Sequence, residues 1–233
     1  MNATPISDHT IQLTRLHFVN AFLVREDDGF TLIDTTVPRG AEQLIAAAID
    51  AGGPIKRIAL THGHGDHIGS LDALKQSLGA AVPIHMPDRD ARIHAGEEPK
   101  PAGSWPKLAT SPDTRVTGGD RIGSLEVVAT PGHTPGHVAF LDTRDGTLIA
   151  SDAFTAYGGL AVPSHFHFRF PLATPATWDK QKAVESARAL RALEPKLLAV
   201  GHGRATPQPA QAMDRAIARA GGARSPAQAS APQ

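Results

Sequence analysis

A histidine-rich segment directly follows a short apolar strand and restricts the arrangements open to this 233-residue chain. Residues 55–60 (IKRIAL) are typical of a short strand, and the segment after it contains His62, His64, Asp66 and His67. Three imidazoles and a carboxylate at this spacing form a ligand set for zinc and similar divalent metals. If the chain turns at the glycines, His62 and His64 point in one direction and Asp66 and His67 in another, which indicates two metal ions. The alternative interpretation is that these are surface histidines in a turn.

Three other polar residues occur at the ends of apolar strands. His133 lies in ATPGHTPGH, Asp152 follows LIAS, and His202 follows LLAV and a glycine. A single residue in such a place is more often a turn or capping residue than a ligand. Because ligand sites assemble at strand ends in open α/β sheets, we expect the four sites to meet at one edge of the fold.

The order of apolar and turn segments predicts an α+β fold, with two β-rich layers whose outer faces are covered by helices. Strands are predicted within 11–35 and at 55–60, 80–85, 125–130, 137–143, 147–154 and 197–200, and helices between Pro38 and Gly52, from about 70 to 78, at 175–194 and near 207–220. Residues 96–113 and 155–173 are predicted to be irregular loops. We expect one domain at 1–220 and a disordered tail at 221–233.

The composition excludes several kinds of site and partner. The chain has no cysteine, so it can form neither a disulfide nor a thiolate ligand or nucleophile. Its 23 basic and 23 acidic residues balance without a basic run, which argues against binding to nucleic acid or to a membrane surface. The N-terminal residues lack the pattern of a signal peptide, and no run of about 18 apolar residues occurs. A soluble, cytoplasmic protein is therefore expected.

These motifs resemble the five motifs of the metallo-β-lactamase fold superfamily, in the same order and at similar spacing. The set is Asp34, His62, His64, Asp66, His67, His133, Asp152 and His202, and the resemblance extends over about residues 11–205. It implies a four-layer αββα sandwich of two mixed β-sheets flanked by helices. It is specific for the fold and the metal site and carries little information about the substrate.

The resemblance also implies two groups of metal ligands. Those of the first metal are His62, His64 and His133, and those of the second are Asp66, His67 and His202. Asp152 would bridge both metals. Asp34 would lie behind them and orient a histidine, and it could also cap the helix after Pro38. Asp66 is a candidate both for ligand and for proton acceptor during turnover.

Other residues near these motifs are candidates for secondary roles. His137 follows His133 by four positions, and a histidine that supports the loop is favoured over a ligand. Tyr157 either polarises a substrate carbonyl or simply packs. A substrate pocket with an apolar entrance, or an ordinary amphipathic strand, would contain His165, Phe166, His167 and Phe168.

The expected cofactor is two Zn²⁺ per chain, with iron, manganese or cobalt as other divalent choices. Two metals about 3.5–4 Å apart can hold a bridging hydroxide, because each lowers the pKa of bound water, to about 7 in zinc sites. That hydroxide would attack a carbonyl while one metal polarises the oxygen and the other stabilises the leaving group. The expected reaction is hydrolysis of a small lactone, ester or thioester.

Departures from the motifs narrow this expectation. Asp152 stands where one branch of β-lactamases has a cysteine ligand, which argues against β-lactamase activity. The pattern is closer to glyoxalase II-like thioesterases and acyl-homoserine lactonases. Only two helices and a tail follow Asp152, whereas glyoxalase II has a C-terminal helical domain, and Thr155 stands where such lactonases have a tyrosine.

Two alternatives belong to other classes of protein. A persulfide dioxygenase-like oxidoreductase would use one iron and would keep mainly the histidines of the first metal and Asp152. The intact Asp66, His67 and His202 argue against it. A non-catalytic metal-binding module is the other alternative. The expected partner is a small-molecule substrate, and a homodimer is left open.

Overall fold

The computed structural model describes residues 1–164 and 173–222. Its first sheet has seven strands in the order β1-β2-β3-β4-β5-β6-β7. They are β1 (Asn2–Pro5), β2 (Thr10–Arg15), β3 (Val19–Glu26), β4 (Gly29–Ile33), β5 (Ile55–Ala59), β6 (Ile84–Pro87) and β7 (Thr114–Val116). Strands β1 to β4 pair antiparallel, and β4 to β7 pair parallel.

The second sheet has six strands in the order β13-β12-β11-β10-β9-β8, and only the β11–β12 pair is parallel. Its strands are β8 (Arg121–Ile122), β9 (Leu125–Ala129), β10 (Val138–Asp142), β11 (Thr147–Ser151), β12 (Leu197–Val200) and β13 (Thr206–Pro207). The helices are α1 (Ala41–Asp50), α2 (Gly65–Ile68), α3 (Leu71–Leu78), α4 (Asp88–Ala95), α5 (Ala173–Ala176), α6 (Lys180–Ala192) and α7 (Ala210–Gly222).

Three apolar clusters fill the spaces between the layers of the fold. Alternate residues of a strand point to opposite faces of its sheet. In β3, Leu23 packs in a cluster with Leu44 of α1, whereas Phe22 packs in a cluster with Phe140 of the other sheet. A third cluster joins the outer face of the second sheet to α6 and α7, for example through Leu190. The predicted four-layer αββα sandwich is confirmed.

Several predicted element boundaries are wrong. The strand predicted at 80–85 is found at Ile84–Pro87, because Pro83 has no N–H to donate to the ladder. The helix predicted at 175–194 is the short α5 followed by α6, which begins after Asp179, whose side chain accepts from the backbone N–H groups of Gln181 and Lys182.

Other elements escaped prediction or extend beyond the predicted bounds. Strand β1 and helix α4 were not predicted; α4 (DRDARIHA) is mostly polar. The strand predicted at 147–154 ends at Ser151, and the last helix runs from Ala210 to Gly222. Residues 96–113 contain neither helix nor strand, as predicted. Residues 165–172 and 223–233, which include most of the predicted tail, lie outside the described residues.

None of the helices within 1–164 and 173–222 combines the length and the apolar character that crossing a membrane requires.

Candidate metal centre

The predicted site residues follow parallel strands that end at one edge of the sandwich. Asp34 follows β4 and the histidine-rich segment follows β5, its parallel neighbour. Asp152 follows β11 and His202 follows β12, which are also parallel. His133 lies in the connection between β9 and β10. The ends of these strands bring the side chains together, as expected for α/β sheets.

Three histidines form the first group that could hold a metal ion. His62, His64 and His133 each offer one ring nitrogen, and these atoms lie within 4.8 Å of one another. The Nδ1 of His64 is 3.1 Å from the Nε2 of His133. All three side chains are buried. The structure therefore brings together the three histidines that the resemblance implies for the first metal.

Asp66, His67 and His202 form the second group. One ligand atom from each lies within 4.8 Å of the others. The Oδ2 of Asp66 is 3.3 Å from the Nε2 of His202 and 3.8 Å from the Nε2 of His67. Asp66 is the second residue of the short helix α2 and its side chain is 36% exposed, whereas both histidines are buried. This group can supply one carboxylate oxygen and two imidazoles.

The carboxylate of Asp152 lies between the two groups. Its Oδ2 is 3.4 Å from the Nε2 of His133 in the first group and 3.3 Å from the Nε2 of His202 in the second. Its Oδ1 is 3.4 Å from the Nε2 of His67. A single carboxylate thus reaches both groups, which is the geometry that bridging requires.

Unpartnered atoms at the centre test whether these residues fit metal ions. The Nε2 atoms of His62 and His67 and the Oδ1 of Asp152 are buried without a hydrogen-bond partner. Buried polar atoms are nearly always hydrogen-bonded, so several orphans at one place call for an explanation. Imidazole nitrogens and carboxylate oxygens are also the ligands that zinc accepts in proteins without cysteine. The donor set fits divalent cations.

The two groups differ in their electrostatics. Burial lowers the pKa of His62 and of His133 well below the ordinary value for histidine. Burial acts the same way on His202, but the carboxylates of Asp152 and Asp66 outweigh it and raise the pKa to about 9. For His67 too, burial is outweighed by nearby carboxylates, and its pKa is raised well above the ordinary value. The first group is therefore a set of neutral donors, and the second favours positive charge.

Asp34 holds His67 from behind. Its Oδ2 is 2.8 Å from the Nδ1 of His67, and its two oxygens accept from the backbone N–H and the hydroxyl of Thr61, each at 2.8 Å. The hydroxyl of Ser151 also donates to it, at 3.2 Å. These bonds direct the Nε2 of His67 towards the site. The N-cap of α1 is Gly40, so the alternative that Asp34 caps this helix is wrong.

A cavity of about 590 Å³ opens beside both groups. Its wall includes His64, Asp66, His133 and Asp152, and among the described residues it is otherwise mainly apolar. The apolar members are Phe18, Val37, Pro38, Ile68, Pro106, Leu108, Ala173 and Ala176. The predicted pocket residues His165, Phe166, His167 and Phe168 lie outside the described residues.

Two further candidates differ in where they lie. Tyr157 is 41% exposed and lines another cavity with Arg204; it is not among the described residues that line the pocket. A bridge between Thr155 and Ala161 closes the loop that carries it, and the backbone N–H of Ala156 donates to the carbonyl of His202. The Nδ1 of His137 is 2.8 Å from the hydroxyl of Thr130, and its ring lies 5.0 Å from that of His62. His137 is thus packed against the first group.

Sequence reasoning missed the contacts that hold the histidine-rich loop from outside. His64 donates from Nε2 to the carbonyl of Ala102 at 3.2 Å, and Trp105 packs edge-on against its ring. The backbone N–H of Gly65 donates to the carbonyl of Ser104. Because any residue has a carbonyl, no sequence signal marks these positions. The loop 96–113 therefore both lines the pocket and fixes which nitrogen of His64 faces the site.

We expect Gly103→Ala to weaken binding of the first metal by about 10–100-fold, the range seen when groups that orient ligands are lost. A Cβ at Gly103 would overlap the ring of His64. The measurement is zinc affinity by competition with a chromophoric chelator. Gly96→Ala is the matched control, because it too has positive φ, but its Cβ would meet no atom within 4 Å. Equal affinities in the two variants would contradict the overlap.

The sequence of this chain is similar to those of several known proteins. The sequence profile described as Metallo-beta-lactamase superfamily matches residues 14–202. Uncharacterized protein YobT of Bacillus subtilis (strain 168) is 44% identical over 211 residues, which cover 87% of this chain and 90% of that protein. Probable metallo-hydrolase YflN of the same organism is 28% identical over 220 residues, covering 83% and 82%. Hydroxyacylglutathione hydrolase of Rhodopseudomonas palustris (strain BisA53) is 34% identical over 122 residues, only 51% of this chain and 41% of that protein.

Solved structures share the fold. A metallo-beta-lactamase from Pontibacter korlensis superposes with a TM-score of 0.71 at 20% identity, covering 95% of this chain and 99% of that one. TTHA1623, solved in a di-iron-bound form, superposes with a TM-score of 0.65 at 25% identity, covering 86% and 95%.

Proposed function

This chain belongs to the metallo-beta-lactamase superfamily, and on that premise we propose that it is a dinuclear zinc hydrolase of small acyl substrates. Homologues named probable metallo-hydrolases support the class of hydrolase. The bond cleaved would be an ester, a lactone or a thioester. The observation that carries the proposal is the position of Asp152, whose carboxylate lies 3.3–3.4 Å from histidine nitrogens of both groups.

Each metal would have three ligands of its own and share Asp152. The ligands of the first would be His62, His64 and His133, and those of the second Asp66, His67 and His202. When bound, two such cations lower the pKa of water to near neutrality and polarise a carbonyl oxygen.

The protein's own groups would position the reactants and manage protons. Asp34 fixes the tautomer and orientation of His67, and the carbonyl of Ala102 does the same for His64. Asp66 has the more exposed of the two carboxylates, 36% against 7% for Asp152. Its Oδ2 is thus the better placed of the two to exchange a proton with a substrate in the pocket.

The pocket favours a small, largely apolar acyl group. Its volume of about 590 Å³ lies within the ordinary range of small-molecule sites. Lys107 is the only basic side chain, apart from the histidines, that the described residues contribute to its wall. The proposal includes simple esters and lactones as well as thioesters, and hydroxyacylglutathione hydrolases are among the relatives.

The test is turnover by the metal-depleted protein, reloaded separately with zinc, manganese, cobalt and iron. The panel contains activated esters, lactones and thioesters with acyl groups of increasing length. We expect hydrolysis only after reloading, with zinc effective. Turnover without metal, or none of the panel cleaved by the reloaded protein, would contradict the proposal. TTHA1623 was solved with two irons. Activity with iron alone would therefore show that the proposed metal is wrong, and the proposal of a hydrolase would stand.

A further inference from the structure

Helix α4 forms hydrogen bonds with both the backbone N–H and the backbone carbonyl of Gly63, the residue between His62 and His64. The Oδ2 of Asp90 accepts the backbone N–H of Gly63 at 2.9 Å. The Nε2 of His94, one turn further along α4, donates to the carbonyl of Gly63, also at 2.9 Å. These two bonds from one helix restrict the rotation of the two peptide groups that flank Gly63, between the two candidate metal-binding histidines.

The same carboxylate reaches the loop that carries His133. The hydroxyl of Thr134, the next residue, donates to the Oδ2 of Asp90 at 2.6 Å. The backbone N–H of Gly136 donates to its Oδ1 at 2.7 Å. Asp90 therefore ties together the two loops that supply the first group of histidines.

The surroundings show that this contact is built into the fold. Asp90 is fully buried, and no lysine or arginine nitrogen of the described residues lies within 4.0 Å of its carboxylate. A buried carboxylate without a cation is costly unless donors surround it. A Cβ at Gly63 would come within 2.8 Å of the Nε2 of His94, and one at Gly136 within 2.6 Å of the Oδ1 of Asp90. Both approaches thus depend on glycine.

We propose that Asp90 and His94 are positioning residues of the metal centre, which set the spacing of His62, His64 and His133 and thereby the affinity of this group for metal. They touch neither the expected metal nor the pocket among the described residues. The inference rests on the proposed function in one respect, that the three histidines bind a metal.

The test compares metal affinity in Asp90→Asn and His94→Phe with that of the full-length parent protein. Asparagine keeps the size of the side chain but turns an amide N–H towards one of the three donors. Phenylalanine keeps a ring beside Trp105 and removes the donor to Gly63, together with the hydrogen bond to the backbone of Pro106. Zinc affinity is measured by competition with a chromophoric chelator, and the cobalt-substituted proteins are compared by their visible absorption. We expect one of the two metals to bind about 10–100-fold more weakly, with a changed cobalt spectrum, and the other to be unaffected.

Two further variants separate positioning from general stability. Asp88→Asn removes a charge from the same helix, where Asp88 pairs with Arg92 and Arg115, and the metal affinity of this variant should stay within about twofold of the parent. His94→Gln retains an N–H donor and should recover most of the affinity lost in His94→Phe.

The possible outcomes separate the two proposals. Parental metal affinities and cobalt spectrum in the folded variants would overturn the inference and leave the hydrolase proposal in place. If Asp90→Asn does not fold, the His94→Phe and His94→Gln pair decides the inference alone. A parent protein that binds no metal would overturn the proposed function itself.

Discussion

Asp152→Ala is expected to reduce the bound metal from two ions per chain to one or none and to lower the rate of hydrolysis by at least about 10³-fold. The reason is geometric, since the two oxygens of Asp152 are the atoms that approach histidines of both groups. Losing them removes a shared ligand and also leaves His67 and His202 with less negative charge nearby. Metal content is measured by plasma emission spectrometry and hydrolysis by initial rates on the best panel substrate.

The matched control for Asp152→Ala lies at the other end of the same strand. Asp145 precedes β11 and accepts the backbone N–H of Thr147 at 2.8 Å, at the end of β11 opposite to Asp152. Asp145→Asn should retain two metals and activity close to that of the parent. Full metal occupancy in Asp152→Ala would rule out the bridging role.

His133→Ala should empty the first group and abolish hydrolysis, again by at least about 10³-fold. His133 is the only member of this group from the second sheet, and its Nε2 lies 3.1 Å from the Nδ1 of His64. Without it, the first metal keeps only His62, His64 and a share of Asp152, whose carboxylate also serves the second metal, whereas catalytic zinc sites in enzymes usually have three protein ligands of their own. Metal content and turnover are measured as for Asp152→Ala.

His137→Gln is the companion variant, because His137 stands four residues after His133 and its ring is 6.1 Å away. Its Nδ1 is bonded to Thr130, and it belongs to neither group. We expect this variant to keep both metals, with a loss of stability from the altered packing. If His137→Gln instead lost the first metal and His133→Ala kept it, the assignment of the third histidine would be reversed.

The sequence was sufficient to predict that the residues at the strand ends meet at one edge of the fold. His62, His64, Asp66 and His67 are close in sequence, so a single turn after β5 brings them together. The parallel pairing of β11 and β12 then brings Asp152 and His202 to the same edge. The order of the segments, with strands before helices in each half of the chain, predicted the two β-rich layers covered by helices.

The contacts that hold this loop from outside could not be predicted in the same way. Asp90 bonds to Gly63 and to Gly136, which are 27 and 46 residues away in the sequence. It lies on a helix with so few apolar residues that no periodicity marks it. The surroundings of Tyr157 could not be predicted either, because this residue is close to Asp152 in sequence but lines another cavity.

The central claim is that two metal ions occupy two defined groups of side chains. Diffraction from zinc-loaded crystals, recorded on both sides of the zinc absorption edge, tests it directly. The account predicts two anomalous peaks, one among His62, His64 and His133 and one among Asp66, His67 and His202, with Asp152 contacting both. A single peak in either group, or zinc bound away from both groups, would contradict it.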